Sequence, residues 1–535
     1  MNKLFAQLAE KRGLTEDYLH PKYENLISPE KLPDAEKAVD RIATALKNNE
    51  KILIYGDYDV DGITATTLME SALKLAGFKN LEIMLPDRFV DGYGMSERLI
   101  DRAKAEKINL VITVDCGSRN FEIVEKLNKL KIDTIITDHH ECEEKLPSAV
   151  AIINPKRKDQ EIEKPLQDLA GVGVAFKLAE ALKNAKLIPD GQEKWFLDLV
   201  LIGTICDSMK LTLENRILTF YGKKVLEKTR RPGLRELMRR AGVKKVTAES
   251  IGFQIGPRLN AAGRLKTAEL SLELLRTNSA TDAVKIVEQL EKLNNERKNS
   301  QRAATSEIIA REPKNTPVII ESGTWHEGII GIVAGRLVEE YKKPAFVLTE
   351  LEDGTLKGSG RSFGDFELSG ALKFAEDTIL GGGGHAAAAG VRLEKNKLEA
   401  FSEKINEYYK SLKLDNQEIY LKKRPELEVK DLTELSLDFL DELALLEPFG
   451  NGNAEPYVCL KNVNILESRR MGSEQNHLRL DVIGEGKKSL KCVAFFAQEN
   501  WFNLGPDEPH DLIVSPAINE FNGVRSAEAR LIDIL

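Results

Sequence analysis

No apolar run in this chain approaches the ~18 residues that a membrane-spanning helix needs, and Met1-Asn2-Lys3-Leu4-Phe5 opens no signal peptide. A membrane partner is therefore not expected. Cysteine is scarce too. Cys116, Cys142, Cys206, Cys459 and Cys492 are scattered, odd in number and free of CxxC spacing. That argues against a zinc knuckle or a disulfide framework and fits reduced thiols in a cytoplasmic protein. Fixed-period repeats and low-complexity tracts are absent. What remains is a chain of 535 residues, 42% apolar and 30% charged. It can bury several cores, and a prior of about 150 residues each suggests roughly three or four domains.

The net charge is −8, which at first speaks against nucleic acid, but the charge is uneven. Between Lys223 and Lys266 thirteen Lys/Arg stand against three Glu. Such a stretch reads either as a footprint for a polyanion or as a solvated helical surface.

Apolar and polar patterns divide the chain. Residues 1–45 read as a helical extension with turns at Pro21, Pro29 and Pro33. Strand patterns at 51–55, 81–85, 110–114, 133–137 and 150–153 alternate with helical ones at 64–75, 96–104 and 121–130. The fold class is α/β, with a parallel, doubly wound sheet. Residues 165–275 look mostly helical, although the largely apolar 196–206 fits helix or strand. Residues 280–311 form a polar, proline-free connector. A smaller α/β unit follows: strands at 318–321 and 345–349 flank a helix at 328–341. Glycine-rich loops are expected at 358–361 and 381–384, and a third strand at 389–393. Beyond about 425, five short strands (458–466, 477–482, 490–496, 511–518, 529–534) suggest a small β-barrel, an OB-fold.

Two strings concentrate the chemistry. Gly56-Asp57-Tyr58-Asp59-Val60-Asp61-Gly62 follows one β-branched run, and Asp138-His139-His140 ends another. Asp115 closes a third run, 110–114. A lone DxD is usually a helix cap or a turn. Three acid or imidazole clusters at the carboxyl ends of parallel strands point instead to a cation, because converging carboxylates repel. Carboxylates with one or two imidazoles suit Mn²⁺ or Mg²⁺. Two ions about 3.5–4 Å apart can activate water and stabilise a leaving oxygen.

The segments 56–62, 114–117 and 138–140 resemble the first three motifs of the DHH phosphoesterases, and Gly203-Thr204-Ile205-Cys206-Asp207 resembles the fourth. Segments 256–264, 325–328, 360–362, 382–390 and 446–453 resemble motifs of that family's single-strand exonuclease branch, in order and nearly end to end. Ser208-Met209-Lys210 departs from the apolar, proline-containing pattern usual there, without removing a ligand.

The resemblance implies an N-terminal extension (1–45), a DHH domain (46–275), a helical connector (276–314), a DHH-associated domain (315–415) and an OB-fold domain (425–535). It implies a single-stranded-DNA-specific 5′-to-3′ exonuclease of DNA repair and recombination. Such an enzyme releases 5′-mononucleotides by two-metal hydrolysis with Mn²⁺ or Mg²⁺. Single-stranded DNA is the implied partner, with single-strand-binding protein and a repair helicase as further ones. Asp59, Asp61, Asp115, His139 and Asp207 are the implied metal ligands, Asp115 bridging. Asp57 is grouped with them, His140 with the catalytic residues, and Asp138 behind both; which of these three touch an ion stays open.

Arg88, Arg258, Asn260, Arg264, Ser359, Arg361, Gly383 and His385 are the implied substrate contacts. His385, on the scissile phosphate, also counts as catalytic. The 5′-to-3′ polarity comes from the resemblance, with a terminal-phosphate pocket at Ser359 and Arg361 as its physical basis. Two alternatives stand beside this reading. One is a DHH phosphodiesterase for short oligonucleotides or cyclic dinucleotides. The other is a non-catalytic replication scaffold, whose relatives lose motif acids that this chain retains.

Overall fold

The computed structural model describes residues 1–414, 420, 423–504 and 508–535, so the domain limit placed at 415 falls just outside the described residues. Five parallel strands form the first sheet: β1 (Ile52–Tyr55), β2 (Leu81–Met84), β3 (Leu110–Val114), β4 (Asp133–Thr137) and β5 (Ala151–Ile153). Their order is β2-β1-β3-β4-β5. β1 and β3 are wholly buried, which is why they read as unbroken apolar runs rather than alternating ones. Strand order reverses between β1 and β3, the point where open α/β sheets place ligands. The undecided apolar stretch is the helix Leu197–Cys206. Its residues from Leu197 to Thr204 are all buried, so it needs no polar face and shows no helical periodicity.

The connector is a single helix, Ala280–Ala310. Its first half, with Ile286, Val287 and Leu290, joins the core under the first sheet. Ala304 and Ile308 join the core of the next domain. One rigid element thus spans both.

The second sheet contains β6 (Ile319–Gly323), β7 (Ala345–Glu350), β8 (Thr355–Arg361), β9 (Gly381–Gly384) and β10 (Ala388–Glu394), in the order β6-β7-β8-β10-β9. Both glycine-rich segments expected as loops are strands. In β8 the glycines make room for the core: a Cβ on Gly360 would stand 2.6 Å from Phe346, and one on Gly358 2.8 Å from Leu348. In β9 the four glycines pair antiparallel with β10 at the sheet edge.

The C-terminal sheet has six strands, not five: β11 (Leu427–Val429), β12 (Val458–Met471), β13 (His477–Ile483), β14 (Ser489–Ala494), β15 (His510–Phe521) and β16 (Val524–Ile534). Pairing of β12 with β15 closes a barrel, and β11 lies outside it along β12.

Leu4, Phe5 and Leu8 of the helix Lys3–Arg12 are buried in the core of this barrel. Arg12 Nε donates to Glu426 at 2.7 Å. Ala38 and Ile42 belong instead to the first core. The N-terminal segment therefore ties the two ends of the chain together. Arg216 adds to this tie: it is 1% exposed and donates to the carbonyls of Leu445, Leu446 and Glu447.

Part of the basic stretch is neutralised within the fold. Lys223 and Lys245 both meet Glu447, Arg239 meets Glu236, and Arg258 meets Glu291. Among the described residues, no helix is long and apolar enough to cross a membrane.

Candidate metal centre and phosphate cleft

The first sheet brings the acids together because β1, β3 and β4 are neighbours. Asp57 and Asp59 lie in the turn after β1. Asp59 caps the helix Val60–Leu75, accepting from the Gly62 amide at 3.0 Å. Asp61, in the first turn, accepts from the amides of Gly171 (2.7 Å) and Val172 (2.9 Å). Asp115 follows β3 and takes a left-handed backbone, φ 63°. Outside glycine that region is sparsely populated, and Asp and Asn tolerate it best. Asp207 stands just past the helix Leu197–Cys206.

Three groups of side chains lie close enough to share a cation: Asp115–His139–His140, Asp61–His139–Asp207 and Asp57–Asp59–Asp115. Asp115 belongs to two of them, and so does His139. His139 Nε2 stands 3.2 Å from Asp115 Oδ1, 3.6 Å from Asp207 Oδ2 and 3.8 Å from Asp61 Oδ2.

The electrostatics are those of a site built for positive charge. Burial, then neighbouring carboxylates, raises the carboxyls of Asp57, Asp61 and Asp115 well above the ordinary range. The same causes push Asp207 up to about 7. Burial, with His140 beside it, pushes His139 down to about 3, so its imidazole is neutral and able to ligate. Asp57 Oδ1 and Asp115 Oδ1 are buried without a hydrogen-bond partner. Such orphans are costly and need an explanation. A divalent cation supplies one, and the donor set of carboxylates and imidazole fits Mn²⁺ or Mg²⁺.

Asp138 joins none of the three groups. Its carboxylate accepts from the amides of Ser118, His139 and His140 and meets His140 Nδ1 at 2.8 Å. Burial alone would raise it, but these bonds and the two imidazoles hold it well below the usual carboxylate range. It fixes where both histidines sit. Tyr93, unmarked by any sequence signal, also reaches His140 Nδ1 at 2.8 Å. Gly171 drew no sequence signal either, and Gly203 was marked only as the start of the fourth motif. A Cβ on Gly171 would run into the Asp115 carboxylate, and one on Gly203 would stand 2.8 Å from Asp61.

Arginines gather across the cleft. Arg88 lies over the Tyr58 ring, 5.2 Å from its centroid. Arg361 donates to Ser359 Oγ at 3.0 Å and to the Gly360 carbonyl. Arg264 reaches the Gly328 carbonyl at 3.4 Å. Burial, followed by Arg88, Arg297 and Arg361, pulls Arg264 down to about 9.

Beside Asp207 opens a cavity of about 870 Å³. Asn260, Arg264 and Arg297 line it on one side, and Phe449 and Gly450 of the loop leading into the barrel on the other.

Three expected substrate contacts are disposed differently from these arginines. Arg258 is turned inward, with Nε on Glu291 at 2.5 Å and a further bond to the Gln254 carbonyl. It packs the helix Gly256–Leu265 and offers no free fork. His385 and Gly383 are exposed on the β9–β10 hairpin, and none of the three metal-capable groups includes His385.

This fold and site define a DHH-type domain with its associated domain. Residues 51–204 match the DHH family N-terminal domain, 315–411 the DHHA1 domain and 427–533 the RecJ OB domain. The single-stranded-DNA-specific exonuclease RecJ of Bacillus subtilis is 33% identical over 99% of this chain and 67% of its own length. That of Escherichia coli is 32% identical over 98% and 94%. The structure of RecJ in complex with Mn²⁺ from Thermus thermophilus superposes with a TM-score of 0.85 at 29% identity. The match covers all of this chain and 76% of that one. A Mg²⁺ complex of the same protein gives 0.79. The chain belongs to the RecJ family of single-stranded-DNA-specific exonucleases.

Proposed function

We propose that this protein is a metal-dependent exonuclease that removes 5′-mononucleotides from single-stranded DNA in the 5′-to-3′ direction. The observation that carries the reading is the overlap of three cation-ready groups through Asp115 and His139 at the switch point of the sheet. Asp57, Asp59, Asp61, Asp115, His139 and Asp207 are the residues that would hold two ions, with Asp115 shared between them. Bound Mn²⁺ or Mg²⁺ would polarise the scissile phosphate and make water a better nucleophile.

The chain's own residues do the rest. Ser359 and Arg361 hold the terminal phosphate, and Arg264 and Arg88 draw it toward the carboxylates. Asp138 orients both histidines. With Nδ1 engaged, His140 keeps Nε2 for the reacting groups. The left-handed turn at Asp115 and the amides on Asp61 pre-set the carboxylates, so little reorganisation is needed on binding.

His385, exposed on its hairpin, would reach the scissile phosphate only when the strand lies between the domains. We infer a place in DNA repair and recombination, with single-strand-binding protein and a repair helicase as partners; membership of the family supports this reading. Five unpaired cysteines support a cytoplasmic setting.

The test is digestion of 5′- and 3′-labelled single strands with Mn²⁺ and Mg²⁺ in parallel. Early release of labelled mononucleotide from the 5′ end alone is expected. Early release from the 3′ end, or no release with either ion, would refute the proposal.

A further inference from the structure

Arg297, on the connector helix Ala280–Ala310, is only 8% exposed. A terminal nitrogen of its guanidinium donates to Asn294 Oδ1 at 3.0 Å. Its Nε is buried without a partner, and so is the Asn294 amide nitrogen. The charged groups that act on it make matters worse: burial and Arg336 both disfavour its charge, and no carboxylate relieves it. Arg264 stands near enough to feel it. A buried, unpaired cation is destabilising, and a fold gains nothing by keeping one for packing. Arg258 shows the contrast, since Glu291 neutralises it.

Arg297 also lines the cavity that runs from Arg264 and Ile332 toward Phe449 and Arg530 of the barrel domain. Arg361 and Arg88 do not line it. We infer that Arg297 is a substrate-contact residue that grips an internal phosphodiester of the strand, beyond the terminal phosphate, where the strand passes from the metal centre toward the barrel. This rests on the proposed single-strand path. It assigns to the connector a role besides joining two domains: placing the strand behind the cut. A phosphate oxygen would satisfy Nε and a terminal nitrogen together, as the planar fork allows.

The test needs neither metal nor turnover. Affinity for a 5′-phosphorylated single-stranded oligonucleotide is measured in EDTA over a range of salt, for wild type and Arg297→Met. Losing a charge-assisted contact should weaken binding about ten- to a hundredfold. The slope of log affinity against log salt should fall by about 0.7, the value for one phosphate contact on a single strand. The melting temperature should stay level or rise, since an unpaired buried charge has gone. Arg297→Gln carries the same test should the methionine variant not fold.

Neutral methylphosphonate, placed at one internal linkage at a time, then locates the contact. One linkage should weaken wild-type binding and leave the variant unaffected. An unchanged salt slope would overturn the inference. So would a lowered melting temperature with an unchanged methylphosphonate pattern, or a variant whose lost contact maps to the 5′-terminal phosphate. Failure of the proposed exonuclease would appear separately, as absence of Mn²⁺-dependent release by wild type.

Discussion

Replacing Asp115 by asparagine should make the metal-free protein more stable and the metal-loaded protein inactive. Asparagine keeps the volume and tolerates the left-handed backbone at φ 63°, so strain does not enter the comparison. The carboxylate is 1% exposed, its Oδ1 lacks a hydrogen-bond partner, and Asp61, Asp59, Asp57 and Asp207 all press on its charge. His139, held neutral, stands at 3.2 Å, and His140 Nδ1 at 3.9 Å is already engaged by Asp138. Asparagine leaves a polar group in place but removes the charge and its repulsion, and a buried charge without a partner costs at least about 1–3 kcal/mol. The gain in the apoprotein should be of that order, a rise of a few degrees in melting temperature. With Mn²⁺ the order reverses. A ligand at a hundred times its dissociation constant stabilises the native state by about 2.7 kcal/mol, and the variant forgoes most of that. Thermal melts in EDTA and in Mn²⁺ would show the crossing. Single-turnover cleavage should fall at least about a hundredfold while strand binding in EDTA survives. A variant less stable than wild type in EDTA would refute the reasoning, because Asp115 would then be a net structural acceptor rather than a charge held ready for a cation.

Arg361→Ala should blur the preference for a 5′-phosphorylated end by roughly ten- to a hundredfold in kcat/KM; equal slowing of 5′-phosphate and 5′-hydroxyl strands would show that Arg361 does not read the end. Asp138→Ala should cost about ten- to a hundredfold in Mn²⁺ affinity, read by calorimetry, because it frees both histidines without removing a ligand. Deleting 425–535 alone should expose Leu4, Phe5 and Leu8 and promote aggregation, read by light scattering, whereas deleting 1–20 as well should relieve it. Asp207, raised to about 7, contributes stability below its unfolded pKa and loses it as pH climbs through about 7. The melting temperature of the metal-free protein should therefore fall across that window, and Mn²⁺ should flatten the fall.

What could be read from the sequence is what local periodicity encodes. A strand buried on both faces is an unbroken β-branched run, and the residue after it is where an α/β fold exposes chemistry. Asp57, Asp59, Asp61, Asp115 and His139 were legible on that ground. Asp207 was not: it follows a helix that shows no period because every side of it is buried. Only the resemblance singled it out. The glycines of β8 misled for a related reason. Glycine disfavours strands on average, yet here Phe346 and Leu348 occupy the space that side chains would need. Charge misled most. Thirteen basic residues within 223–266 look like one surface, but pairing is decided by tertiary neighbours far along the chain, such as Glu447 for Lys223 and Lys245. The same logic inverts at Arg297, which drew no notice in a polar helix. Its meaning lies in a partner that the fold does not provide. A local window reveals which residues a segment carries. It cannot reveal which of their charges the folded chain leaves uncompensated, and those are the charges a polyanionic substrate can use.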